Sequence, residues 1–242
     1  MAGGIPQYGK LARYYDRVYH WKDYRREATI IRELVREHKK SEGRDLLDVA
    51  CGTGKHIQYL RRTFTCTGVD SSKEMLEVAR RNAPGVEFLK SDMRTLNLGR
   101  RFDVVLCLFS AIGYLRTRSD QRKAIINFTA HLEKGGVLIV EPWFEKPDWK
   151  SGTVHMQTYD SSGLKIARVG FSSAAGEFSI ADESYLIAER GKGTAYVRDA
   201  QRLRFFEADW TVETMRRAGL QPTFSKKSLM PGRKLMVATK MP

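Results

Sequence analysis

The chain has 242 residues, 42% hydrophobic and 29% charged. That leaves room for one α/β domain with a sizeable core and a modest insertion. It contains no apolar run of about 18 residues that would span a membrane, and residues 1–10 lack the basic-then-apolar pattern of a secretory signal. The net charge of +14 admits nucleic acid, an anionic membrane surface or a phosphorylated substrate as a partner. The basic residues are scattered, however, in pairs such as Arg61-Arg62, Arg80-Arg81 and Lys226-Lys227, as on a solvated surface. Three cysteines with no Cys-x-x-Cys pair speak against a disulfide framework and against metal binding, and a cytoplasmic setting is expected.

From residue 24 to residue 140, helical and strand patterns alternate, which predicts a parallel sheet with crossover helices. Residues 24–38 place Ala28, Ile31, Leu34 and Val35 on one helical face. Residues 45–50 (DLLDVA) form a buried strand running into a glycine-rich turn, and a helix follows over residues 54–62. A second strand covers 66–70. Ser71 or Ser72 then caps a helix over 73–82, which Pro84-Gly85 ends. Strands three and four fall at 86–90 and 102–108, the latter continuously apolar and so covered on both faces. A helix over 119–132 closes at Gly135-Gly136, before a fifth strand at 137–140. The pattern then changes. Short alternating segments at 153–159, 164–172, 178–188 and 195–205 read as antiparallel strands. A helix over 211–218 and strands at 222–228 and 234–239 complete the chain. The expected fold is thus a doubly wound, Rossmann-like α/β sheet, interrupted by an antiparallel β insertion between the fifth strand and the last helix. The main domain would comprise residues 1–144 and 205–242, with residues 1–23 as an N-terminal lid. Residues 145–204 would form a flap over the substrate, too small to bury much core alone.

The chemistry points to the carboxyl ends of the first three strands, where open α/β sheets bind ligands. In Asp48-Val49-Ala50-Cys51-Gly52-Thr53-Gly54, the two glycines let the backbone turn and approach a ligand with no Cβ in the way. Asp70, ending the second strand, can accept hydrogen bonds from both hydroxyls of a ribose. Asp92, after the third strand, can engage an adenine amino group while Met93 packs on the ring. A dinucleotide would need Gly-x-Gly-x-x-Gly, but Ile57 holds the third position. Asp48 would also repel a pyrophosphate, whereas it suits an ammonium group. S-adenosylmethionine is therefore the expected cofactor, and S-adenosylhomocysteine the product. Glu141, at the ligand end of the fifth strand, is placed to touch the acceptor. Trp143 and Phe144 can stack on a base or sugar. His131 sits in the last turn of a helix and is read as structural.

The segments LLDVACGTGKH, GVDSSKEMLEVAR, SDMRTLNLGRRFDVVLCLFSAIGYL and HLEKGGVLIVEPWF resemble the successive motifs of class I methyltransferases. Together with YDRVYHWKDYRREA, they resemble more narrowly the N,N-dimethyltransferases of dTDP-linked 3-amino-deoxysugars, over roughly residues 8–240. The resemblance implies cofactor contacts at Tyr24, Ala50, Gly52, Asp70, Asp92 and Met93, with Ser110 near the methionine part. To these the reading of the turn and the next helix adds Asp48, Gly54 and Ser71. The resemblance also implies that Tyr8, on the lid, and Tyr114 lie near the acceptor amine as catalytic residues, with Tyr15 on the substrate side. Arg233, in Pro231-Gly232-Arg233-Lys234, is implied as a ligand of the nucleotide phosphate. The chain departs from those relatives in the insertion, where Gly170-Phe171-Ser172 and Asp199-Ala200-Gln201 replace Ser-His-Ser and a His-rich strand.

The expected activity is N-methylation of a small amine, most simply an anionic, nucleotide-linked amino sugar, by a monomer or homodimer that binds neither nucleic acid nor membrane. An RNA or protein methyltransferase is the alternative that the charge alone supports. Phe109-Ser110-Ala111-Ile112 stands where an exocyclic-amine enzyme would carry Pro-Pro-aromatic. A catalytically silent cofactor-binding module is a third possibility.

Overall fold

The computed structural model describes residues 8–241. A seven-stranded sheet runs β10-β11-β5-β4-β1-β2-β3. In chain order its strands are β1 (Asp45–Val49), β2 (Thr65–Asp70), β3 (Glu87–Lys90), β4 (Phe102–Cys107), β5 (Leu132–Val140), β10 (Leu220–Phe224) and β11 (Met236–Lys240). The first five pair in parallel, whereas β11 lies antiparallel to β5 and to β10. Every residue of β4 is buried, as its continuously apolar sequence requires of a strand covered on both faces. The order turns back on either side of β1 and β4. Their carboxyl ends therefore open a crevice, the usual ligand position of such sheets.

The helices follow from stripes and caps. In α2 (Tyr24–His38), Asp23 caps the first turn by accepting the Arg26 N–H at 2.9 Å, and Ala28, Ile31, Leu34 and Val35 are buried. α3 is Lys55–Leu60, and α4 (Lys73–Asn82) is capped by Ser72, whose hydroxyl accepts the Met75 N–H. α5 is Arg118–Ala130 and α6 is Ala208–Arg217. A single turn of helix, α1 (Tyr15–Val18), precedes them and is too short to leave a periodic signal.

Element boundaries differ from the sequence reading in several places, and at two of them the physical reason is visible. Gly135-Gly136 does not stop a helix. β5 starts at Leu132 and runs through both glycines, and residues 133–136 bulge opposite Asp103. Gly135 takes a φ of +75°, and its carbonyl accepts the Lys40 N–H at 2.8 Å. At the other end of the chain, β10 contains Pro222, which the sheet tolerates because β10 is an edge strand.

Between β5 and α6 lies a four-stranded antiparallel sheet in the order β6 (Thr153–Asp160), β7 (Leu164–Ala175), β8 (Phe178–Glu189) and β9 (Gly193–Arg204). Its inner residues Ile166, Tyr185 and Ile187 pack on Leu11, Tyr15, Val18 and Tyr19 of the N-terminal segment, with Met75 of α4 in the same cluster. Its outer face exposes Val154, Met156, Phe171, Leu186 and Tyr196. Among the described residues, no helix is long and apolar enough to cross a membrane.

Candidate active site

The turn after β1 places Ala50, Gly52 and Gly54 at φ of 58°, 55° and 71°. Glycine is needed at position 52 for its conformation, and a Cβ there would meet nothing within 4 Å, so the turn faces open space. Gly54 is needed for close packing, because a Cβ there would come within 3.2 Å of Ala79 and Phe88. It lets α4 and β3 close on the turn but does not itself line the cavity.

Asp70 anchors this turn. Its Oδ2 accepts the Gly52 N–H at 2.8 Å and its Oδ1 accepts the Ser72 N–H at 2.8 Å. Each oxygen keeps further acceptor capacity, enough for two ligand hydroxyls. Burial raises its pKa, against the backbone N–H groups of Ser72, Gly52 and Ser71.

Asp48 is 1% exposed, and its Oδ2 has no hydrogen-bond partner. Burial pushes its carboxyl up to about 7, opposed by His56 and reinforced by Asp70. A buried carboxylate with an unpartnered oxygen, facing a cavity, calls for a cationic ligand. The ammonium group of S-adenosylmethionine meets that need, and a pyrophosphate would worsen it. The turn, the Asp70 acceptors and Asp48 therefore fit this cofactor. Below pH 7 Asp48 takes up a proton and the attraction is lost. Affinity for S-adenosylmethionine is expected to fall as pH drops below 7, by at most about tenfold per pH unit. Calorimetry across this range checks it, and Asp48→Asn should remove the dependence.

Tyr8, Tyr15, Tyr24, Ser71, Met93 and Tyr114 line the same cavity. Asp92 stands in an adjoining cleft, where Arg94 already grips its carboxylate from Nε at 3.0 Å and Nη2 at 2.6 Å. The Tyr8 hydroxyl donates to the Tyr114 oxygen at 2.7 Å, and the two rings meet edge-on at 5.4 Å. Burial pushes the Tyr8, Tyr15 and Tyr114 phenols up. They stay protonated near neutrality, so none supplies a phenolate base.

The remaining expected residues gather behind the cavity. Ser110 donates to the Pro142 carbonyl at 3.0 Å and accepts from Arg233 Nη1 at 2.9 Å. Glu141 accepts the Phe109 N–H at 2.7 Å and lies 3.9 Å from Arg233. It thereby holds Phe109 and Ser110 in their left-handed conformations, φ 50° and 60°. Trp143 donates to the Ser179 hydroxyl at 2.8 Å. The Arg233 guanidinium is sandwiched at 4.8 Å from the Trp143 ring and 5.4 Å from Phe109, with its Nε unpartnered. Ser110 and Glu141 thus shape the β4 end of the site from outside. His131 is structural: Nδ1 donates to the Asn127 carbonyl at 2.7 Å and Nε2 accepts the Leu98 N–H at 3.0 Å. Cys51, Cys66 and Cys107 are buried free thiols, their pKa values raised by burial.

Sequence reasoning missed one group. Lys22, 6% exposed, donates to Glu27 Oε1, while Glu27 Oε2 meets His56 Nε2 at 2.6 Å. Lys22 also lies 4.5 Å from the centre of the Phe109 ring, and His56 lines the cavity beside Asp48. Burial raises the Glu27 pKa, but His56 and Lys22 together outweigh it and hold the carboxyl below its ordinary value. One signal was readable: Glu27 stands four residues before Ile31 on the apolar stripe of α2.

Comparison with known proteins follows the same lines. Residues 46–136 match the family described as methyltransferase domain. The dTDP-3-amino-3,6-dideoxy-alpha-D-glucopyranose N,N-dimethyltransferase of Streptomyces fradiae is 37% identical over 93% of this chain and 87% of its own. The crystal structure of DesVI from Streptomyces venezuelae superposes with a TM-score of 0.89 at 34% identity, covering 95% of this chain and 98% of that one. The S-adenosylmethionine-bound structure of CalS10, an amino pentose methyltransferase from Micromonospora echinaspora, gives 0.83 at 31% identity, covering 96% of each chain.

Proposed function

Because the chain belongs to the S-adenosylmethionine-dependent methyltransferases, in the branch of the dTDP-amino-deoxysugar N,N-dimethyltransferases, we propose that it methylates the amine of a nucleotide-linked amino sugar. The observation that carries the cofactor half is Asp48, a buried carboxylate with an unpartnered oxygen beneath an open glycine turn. When bound, S-adenosylmethionine supplies an electrophilic methyl group on its sulfonium. The chain itself holds a neutral amine in line and keeps water away, which can lower the barrier by about 7–11 kcal/mol in favourable systems. Tyr8 and Tyr114 are assigned to the amine, with Tyr15 beside them. Asp70 is assigned to the ribose, and Asp92 with Met93 to the adenine. Residues 145–204 act as the substrate flap.

Arg233 is assigned to the acceptor's phosphates. Its unpartnered Nε leaves one N–H donor for an oxyanion, and the Trp143 ring beside it offers a stacking surface. The test is transfer of radiolabelled methyl from S-adenosylmethionine to dTDP-3-amino-3,6-dideoxyglucose. Incorporation is expected, and Arg233→Ala should raise the KM for this acceptor about tenfold with cofactor affinity unchanged. No incorporation, alongside tight and steeply salt-dependent binding of bulk tRNA, would favour an RNA substrate instead.

A further inference from the structure

The inserted sheet carries a hydrogen-bonded chain that leads straight to the two tyrosines. Asp199, on β9, is 1% exposed, and its Oδ2 accepts from Gln201 Nε2 at 3.0 Å. Gln201 Oε1 accepts the Tyr114 hydroxyl at 2.6 Å, and the Tyr114 oxygen accepts the Tyr8 hydroxyl at 2.7 Å. Glu183, directly across the strands from Asp199, accepts from Tyr185 at 2.8 Å and Arg168 at 3.5 Å and meets His155 at 3.3 Å.

This chain has a direction, and Asp199 sets it. As an ionised carboxylate Asp199 only accepts hydrogen bonds, so the Gln201 amide turns its NH2 toward Asp199 and its carbonyl toward Tyr114. Tyr114 must then donate to Gln201. Its oxygen is left as an acceptor, which Tyr8 fills with its own proton. Both hydroxyl protons point away from the cavity, and the Tyr8 oxygen can offer it only lone pairs. Successive bonds aimed at one anion also polarise each other.

The direction matters for an amine. A neutral amine has N–H donors and one lone pair. Hydroxyls free to donate would cap that lone pair and block attack. Hydroxyls fixed as acceptors take an N–H and leave the lone pair facing the methyl donor. We propose that Asp199 is a positioning residue which, through Gln201, fixes the Tyr114 and Tyr8 hydroxyls as acceptors so that the amine lone pair points at the methyl group. This rests on the assignment of Tyr8 and Tyr114 to the acceptor amine.

The experiment uses the full chain, S-adenosylmethionine and dTDP-3-amino-3,6-dideoxyglucose. Asp199→Asn keeps the shape but lets the Gln201 amide turn over. It is expected to lower kcat about tenfold or more, leaving cofactor Kd, acceptor KM and Tm nearly unchanged. The double variant Asp199→Asn/Gln201→Glu exchanges anion and amide. The Asn N–H then donates to Glu, Glu accepts from Tyr114, and the direction is restored, so kcat should recover at least half the loss. If Asp199→Asn is as fast as the parent while Tyr114→Phe is slow, the proposal is wrong and the tyrosine assignment stands. If Tyr114→Phe is also as fast as the parent, both fall. A double variant as slow as Asp199→Asn, with intact Tm, would likewise overturn the role of direction.

Discussion

Asp70→Ala is expected to weaken S-adenosylmethionine binding at least tenfold, about 1.4 kcal/mol, and toward a hundredfold if both effects below add. The first effect is direct: the two charge-assisted hydrogen bonds that the proposed ribose assignment gives Asp70 are lost. The second is a loss of order. The same carboxylate holds the Gly52 and Ser72 N–H groups at 2.8 Å each. Without it the glycine turn and the first turn of α4 lose their common anchor, and two backbone donors face the cavity unpaired. Asp70→Asn separates the two, since its amide oxygen can still accept one N–H but brings an NH2 to the other. Its affinity should fall between parent and Asp70→Ala. Calorimetry giving an unaltered Kd for Asp70→Ala would dismiss the ribose assignment.

Glu27→Ala is expected to destabilise the fold by about 3–5 kcal/mol, the range for removing one member of a buried ion network. The side chain of Glu27 is 3% exposed and that of Lys22 only 1%. Deleting the carboxylate leaves the ammonium and the His56 ring buried without their acceptor. The folded carboxyl titrates below its ordinary value. Its stabilisation is therefore fully present above the unfolded pKa of about 4.3 and is lost as pH falls through the lowered folded value. Urea unfolding at pH 7 should show the full difference, shrinking only in strong acid. A loss below about 1 kcal/mol would mean that Lys22 turns out to solvent in the variant.

The sheet was legible because its signals are local. DLLDVA and FDVVLC are apolar runs that no surface strand would carry, and Ser72 sits one residue before its helix. The acids at 48 and 70 were legible because a strand end fixes their place without knowledge of side-chain partners. What stayed hidden depends on distant pairs. Nothing near Ser110 in sequence reveals that Arg233, 123 residues on, meets its hydroxyl. Asp199 and Gln201 looked like departures from a pattern, because their meaning lies in Tyr114, 87 residues before Gln201. The bulge at residues 133–136 was misread because Gly-Gly suits a helix stop and a strand bulge equally.

The segment that roofs the cavity owns no interior. Leu11, Tyr15, Val18 and Tyr19 share one cluster with Met75 and with Ile166, Tyr185 and Ile187 of the inserted sheet, and the Ser72 hydroxyl that caps α4 also ties down the Tyr8 carbonyl. Loosening this packing would also bare the underside of a sheet whose outer face already exposes Val154, Met156, Phe171, Leu186 and Tyr196. Variants loosened here are expected to aggregate more readily, which light scattering on heating checks.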